Sequence, residues 1–467
     1  MSIVGACMVP HPPIILPEVG GGEEEKISAT AAAYRAAMAE MAALKPEVLL
    51  ISTPHSILYA DYFHISPGRG ARGTMKQFRA PGVRFDVDYD EALVRAICEE
   101  ADAIGLPAGT EGERDASLDH GTMIPLYFAQ EQPALRALPI VRISLSGLPL
   151  EEQYRFGMCI RRAVDKLGRR AVFIGSGDLS HKCRAEGPYG FAPEGPEYDR
   201  RLTDVMARAA FGELLDFNEH FLEKAAECGH RSFIIMAGAL DGLAVRAGEM
   251  THEDTFGVGY GECAYTVTAE DEERHFADAH RKRKLAGLEA MREAEDAYVR
   301  LARLSLETYV KTGKELERDA YPADLTEEMR NRQAGTFVSV HKDGQLRGCI
   351  GTIGPTTGCI ADEIVQNAVS AASRDPRFFP IQIPELPYLE ISVDVLGETE
   401  PIDSTDELDV KRYGVIVSSG HKRGLLLPNL DGVDTIEEQV RIAMQKGGIR
   451  PGDKNIRYER FEVVRHH

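Results

Sequence analysis

Three short apolar runs in the first part of the chain each break off at a histidine. SIVGACMV (2–9) stops before Pro10-His11, EVLLIST (47–53) stops before Pro54-His55, and AVFIGS (171–176) leads into Gly177, Asp178, Leu179, Ser180 and His181. Apolar runs this short, bounded by turn residues, read as strands buried on both faces, as in a parallel sheet. Helix-forming stretches lie at 23–45, 90–104 and 151–167, and further strands are expected at 83–87 and 139–145. Strands alternating with helices predict βαβ units and an α/β domain with a mostly parallel sheet. Right-handed crossovers put the carboxyl ends of such strands on one edge, where open α/β sheets bind ligands. His11, His55 and His181 are therefore expected to converge, although any one of them alone is more simply a satisfied polar residue in a turn.

A fourth segment supplies other donors. Glu227-Cys228-Gly229-His230 falls between two helices, and Gly229 allows a sharp turn there. Two neutral imidazoles and one carboxylate suit Fe(II) and leave positions open for other ligands. Glu227 offers the carboxylate. Cys228, near a helix N-terminus, is expected to be a thiolate of depressed pKa. Either residue completes the set, and the plain alternative is a helix-capping pair. A helix is expected next over RSFIIMAGALDGLAV (231–245), followed by a strand over GECAYTVT (261–268). Asp178, three residues before His181, is placed to orient it, or is a turn former.

Charge narrows the function classes. The formal net charge of -20 argues against a broad surface for nucleic acid, which needs basic patches against phosphates. No run approaches the roughly 18–20 apolar residues that span a bilayer, and the N-terminus lacks the basic start of a signal peptide. Eight cysteines without a CxxC pair read as reduced thiols, which places the chain in the cytoplasm. The sharpest compositional shift is the charged, alanine-rich run at 270–297. It is read as a helical linker (271–297) joining a domain at 1–270 to one at 298–467. In the latter, helices and strands do not alternate strictly, which predicts an α+β fold. There LRGCIG (346–351) presents Arg347 and Cys349 on a glycine-bounded turn, either as a reactive thiol or as a small buried hydrophobe. Arg374, Asp375 and Arg377 make an ion-pair cluster or a site for an anion.

The motifs ValProHisProPro around His11, ThrProHisSer around His55, LeuAspHisGlyThrMetIleProLeu (118–126) and GlySerGlyAspLeuSerHis (175–181) resemble the class III extradiol dioxygenases of the LigB type, including their Memo branch, over about residues 1–268. The resemblance implies that His11 and His55 bind iron and that Glu227 matches the third ligand, or Cys228 if the Memo branch is the better match. It implies that His181 is the catalytic acid/base and that His120 contacts substrate or backs the ligands. Fe(II) is the implied metal, with Zn, Cu or Mn as other divalent choices, and a catecholic or phenolic small molecule is the implied substrate. LRGCIG, RDPRFFP (374–380), EISVDVL (390–396) and GLLLPN (424–429) resemble an AMMECR-type domain, in which Cys349 is the candidate reactive residue. The two domains together resemble the AmmeMemoRadiSam system. That pairing implies a radical SAM partner and an alternative role as a metal-binding component without ring-cleaving activity. A homo-oligomer is compatible with all of this.

Overall fold

The computed structural model describes residues 2–430 and 432–467, in two compact units, Met1–Arg281 and Lys282–His467. The division falls inside a helix, Phe276–Ala294, within the charged stretch. Among the described residues, no helix is long and apolar enough to cross a membrane.

The first unit is built on β1 (Ile3–Val9), β2 (Val48–Thr53), β3 (Ile140–Ser144), β4 (Ala171–Ser176), β5 (Leu243–Ala247), β6 (Thr251–Glu253) and β7 (Tyr260–Glu270). Spatial order is β6-β7-β1-β4-β2-β3, with β5 also pairing β7. The neighbours among β1, β4, β2 and β3 are parallel. These strands are buried along their whole length, as their unbroken apolar runs require. The sheet is nevertheless mixed, because β7 runs antiparallel to β1, β5 and β6. Helices α1 (Ser28–Ala43) and α2 (His120–Gln130) cover one face, and α3 (Leu150–Leu167) and α4 (His230–Ala239) the other.

One expectation is corrected. The helix expected to run to residue 245 ends at Ala239, and Leu243–Ala247 is strand β5. Gly242, at φ +68°, turns the chain between them, and Leu243–Ala247 then pairs with β7. The strand expected at 83–87 is present within Ala80–Asp88, which pairs with Gly70–Met75 in a sheet of two strands apart from the main one.

The second unit begins with α5 (Ala297–Thr312) and contains β8 (Thr336–Lys342), β9 (Gln345–Gly351), α6 (Ile360–Ser373), β10 (Leu389–Leu396), β11 (Glu400–Ile402), β12 (Gly414–Ser419), β13 (Lys422–Leu426), α7 (Ile436–Lys446), β14 (Arg457–Phe461) and β15 (Val463–His466). Two antiparallel sheets form, β9-β8-β10-β15 and β11-β14-β12-β13. Helices α5 and α6 pack on the first sheet and α7 on the second, an α+β arrangement. Cys349 lies on the edge strand β9.

Candidate metal centre

Because β1, β2 and β4 are parallel, their carboxyl ends share one edge, and each delivers a donor there. His11 Nε2 and His55 Nε2 lie 3.0 Å apart, with the rings at 78° to each other. The His120 ring, on the first turn of α2, stacks on His55 at 4.1 Å. His11 is 1% exposed, His120 is intermediate and His55 is exposed, so the cluster opens to solvent past His55. One nitrogen from each of the three lies within 4.8 Å of the others, and so do atoms of His11, Asp178 and Cys228.

Local hydrogen bonds fix these rings. Asp119 caps α2 by accepting the Thr122 N–H at 3.0 Å. It also accepts the Thr53 hydroxyl at 2.6 Å, which ties the end of β2 to the start of α2 and sets His120 beside His55. Ser176 donates its hydroxyl proton to the Gly121 carbonyl at 2.6 Å. It must therefore accept from His11 Nδ1–H, 2.9 Å away. That assignment leaves the His11 Nε2 lone pair aimed into the cluster. Thr53 and Ser176 carry no signal in the sequence that marks them as partners of these rings. Asp119 was legible as a cap before a helix, whereas the Ser176 contact joins strand β4 to a helix start far away in the chain.

Cys228 reaches the cluster through a backbone contact that no sequence signal announces. A Cβ on Gly177 would stand 2.1 Å from the Gly229 Cα, so two glycines are required where these segments meet. Gly229 N–H donates to the Asp178 carbonyl at 3.0 Å, and Asp178 N–H donates to Cys228 Sγ at 3.3 Å. Cys228 Sγ lies 3.5 Å from His11 Nε2. Glu227 faces elsewhere: its carboxylate accepts the His230 N–H at 2.6 Å and caps α4, and it belongs to neither donor group among the described residues.

Electrostatics set the protonation of the donors. Burial drives His11 down to about 3 and, with the neighbouring His55 ring, His120 down to about 4; desolvation lowers His55 as well. The imidazoles are therefore neutral near pH 7. Burial opposes ionisation of Asp178, but the His11 and His181 rings and the His11 N–H, 2.8 Å from Oδ1, bring its carboxyl to about 2. The Cys228 expectation is corrected. Desolvation by burial first, then the charges of Asp178 and Glu227, push its thiol well above the ordinary value. His181 sits at the rim, its Nε2 3.9 Å from Asp178 Oδ2 and its ring stacked on Tyr189 at 5.0 Å.

A single lone pair on His11 Nε2 thus faces both His55 Nε2 and Cys228 Sγ. The two donor groups, His11–His55–His120 and His11–Asp178–Cys228, share His11, and each offers atom types that suit a metal.

Residues 5–262, more than half of the chain, match the family described as the catalytic LigB subunit of aromatic ring-opening dioxygenase. The chain belongs to the LigB family. Residues 299–466 match AMMECR1, so the protein fuses a LigB domain to an AMMECR1 domain. The same architecture extends to protein CA_C1420 of Clostridium acetobutylicum, 40% identical over 473 residues that cover 100% of this chain and 99% of that one. A Thermotoga maritima protein is 49% identical over 173 residues, 37% of this chain and 98% of its own length. The crystal structure of protein JW3007 from Escherichia coli K12 aligns with 56% of this chain and 99% of its own at 14% identity, with a TM-score of 0.37.

In the AMMECR1 domain, Cys349 is held by its backbone. Its N–H donates to Asp375 Oδ2 at 2.9 Å, and its carbonyl accepts from Arg377 Nη2 at 3.2 Å. The Arg377 guanidinium pairs with the Asp375 carboxylate at 2.9 and 2.7 Å, and the Arg377 N–H donates to Asp375 Oδ1 at 3.1 Å. Arg374 is not part of this group and reaches Glu315 instead, at 3.4 Å. Arg347 returns the tie by donating to the Phe379 carbonyl and pairing with Glu385. The Cys349 sulfur accepts the Ser339 hydroxyl at 3.2 Å, and burial raises its pKa, so a thiol rather than a reactive thiolate stands here.

Proposed function

We propose that the LigB domain is a metal-dependent, dioxygenase-like oxidoreductase acting on a catecholic or phenolic small molecule, with His11, His55 and Cys228 holding the metal. The observation that carries this reading is the neutral His11 Nε2 lying 3.0 Å from His55 Nε2 and 3.5 Å from Cys228 Sγ. Cys228 replaces Glu227 as the preferred third donor because the Glu227 carboxylate is engaged in capping α4. Fe(II), or a softer divalent ion suited to sulfur, would supply redox and Lewis-acid chemistry when bound.

The remaining chemistry belongs to the protein. His181 presents Nε2 towards the ionised Asp178, so a proton taken up by the ring is compensated by a carboxylate. Its Nδ1, without a partner among the described residues, is the atom that receives the substrate hydroxyl proton. His120, packed on His55 and on the Phe78 ring at 5.4 Å, lines the space beside the donors and orients the bound ring. Ser176 keeps His11 in the tautomer that offers Nε2. Eight free cysteines fit a reducing compartment such as the cytoplasm.

A second reading is favoured by a sulfur donor in place of a carboxylate and by the fusion to AMMECR1. In it the chain is a metal-binding component that works with a radical SAM partner and opens no ring itself. The deciding experiment is metal analysis of anaerobically purified protein, followed by a catechol-cleavage screen with and without such a partner. Wild type and Glu227→Gln are expected to carry about one metal, and His55→Ala and Cys228→Ala close to none. Metal retained in Cys228→Ala but lost in Glu227→Gln would reverse the ligand assignment. A metal-loaded protein inert towards catechols alone and active with the partner would select the second reading.

A further inference from the structure

The hairpin that follows His181 carries the two exposed large aromatic side chains of the LigB domain among the described residues, Tyr189 at 60% and Phe191 at 56% exposure. Exposed rings of this size need an explanation when they stand beside a site. This hairpin is not a loose loop. Cys183 and Phe191 close it as an antiparallel bridge, and Cys183 N–H donates to the Gly257 carbonyl at 3.1 Å. Gly190 N–H donates to Gly187 and Ala192 N–H to Lys182, at 3.2 and 3.1 Å. The pinned backbone lays the Tyr189 ring nearly parallel to His181, with 5.0 Å between centroids and 25° between planes. One face of the tyrosine is thereby used on the histidine while the side chain as a whole stays open to solvent. A rigid, open aromatic face next to a proton-transfer residue is a platform for another flat ring.

We propose that Tyr189 is a substrate-binding residue: its ring stacks on a planar aromatic substrate at the mouth of the metal site and selects such substrates over non-aromatic chelators. This inference rests on the metal site and phenolic substrate class proposed above. It assigns the discrimination to the ring and not to the hydroxyl, so phenylalanine should replace it.

The test uses the full-length, metal-loaded protein and two probes. The chromophoric catechol 4-nitrocatechol is titrated by absorbance, and acetohydroxamate, a chelator without a ring, is titrated by competition. Wild type, Tyr189→Ala and Tyr189→Phe are expected to carry equal metal. Tyr189→Ala should bind 4-nitrocatechol roughly 2- to 10-fold more weakly, the range contributed by an aromatic pair, and acetohydroxamate unchanged. Tyr189→Phe should match wild type for both. Equal 4-nitrocatechol affinity in wild type and Tyr189→Ala would overturn the inference and leave the metal site standing. An equal loss for both probes would also overturn it, since Tyr189 would then be supporting the site and not the ring. If metal-loaded wild type bound acetohydroxamate but not 4-nitrocatechol, the phenolic substrate class itself would fall, and the inference with it.

Discussion

Two cysteines beside glycines, Cys228 in the LigB domain and Cys349 in the AMMECR1 domain, have opposite surroundings. Both thiols are pushed up by burial. Cys228 lies against the neutral His11 imidazole and the ionised Asp178 carboxylate, while Cys349 has a serine hydroxyl on its sulfur and an Asp375–Arg377 pair on its backbone. The first arrangement sets metal-ligand atom types side by side. In the second, the charges are spent on each other and on an edge strand, a way of satisfying exposed backbone groups. A raised pKa therefore does not separate these two cysteines; the neighbouring donors do.

The largest effect expected from this contrast is on metal and protons. Since the imidazoles are neutral and Cys228 is protonated before binding, the wild-type protein should release about one proton per metal bound at pH 7, read with an indicator dye, and Cys228→Ser none. Cys349→Ser should leave metal content and proton release at wild-type values. If Cys349→Ser removed the metal, the contrast between the two cysteines would be broken.

A second prediction concerns Glu262 on β7, which is 2% exposed and takes a hydrogen bond from the Thr251 hydroxyl. Burial first, then the charges of Glu253 and Asp178, raise its pKa to about 8. A carboxyl with a raised folded-state pKa costs nothing when both states are protonated. It costs stability progressively as pH rises from the unfolded value of about 4.5 to the folded one. Glu262→Gln should therefore stabilise the protein at pH 9 by a few kcal/mol and change little at pH 4.5, measured by denaturant unfolding. Equal effects at both pH values would mean the side chain is already ionised in the folded state.

The smaller effect belongs to the AMMECR1 clamp. Arg377, against the penalty of burial, holds the Asp375 carboxyl down at about 2. Asp375→Ala strands the Cys349 N–H and should cost about 1.5–3 kcal/mol of stability in urea unfolding. Metal content should not change. A loss of metal without a loss of stability would join the two regions that the contrast separates.

Much of the LigB domain was readable from residue order. Apolar runs stopping at His11, His55 and the Asp178–His181 turn gave parallel strands with chemistry at one edge, and β1, β2 and β4 are parallel neighbours in one sheet. The antiparallel β5–β7 edge was not readable, because a short apolar run such as Leu243–Ala247 has no period that separates strand from helix. In the AMMECR1 domain, LRGCIG and RDPRFFP stood out as motifs. That Asp375 grips the backbone of Cys349 while Arg374 turns to Glu315 depends on which residues a loop brings back to an edge strand.

The sequence by itself determined the donor types, the strand ends that carry them and the break between an α/β and an α+β region, since these follow from local periodicity and turn chemistry. Tertiary structure alone set which of Glu227 and Cys228 faces His11. Adjacent residues at a helix start face different directions, and only the close approach of Gly177 to Gly229, a contact across the fold, turns the sulfur towards His11 and leaves the carboxylate on the helix cap.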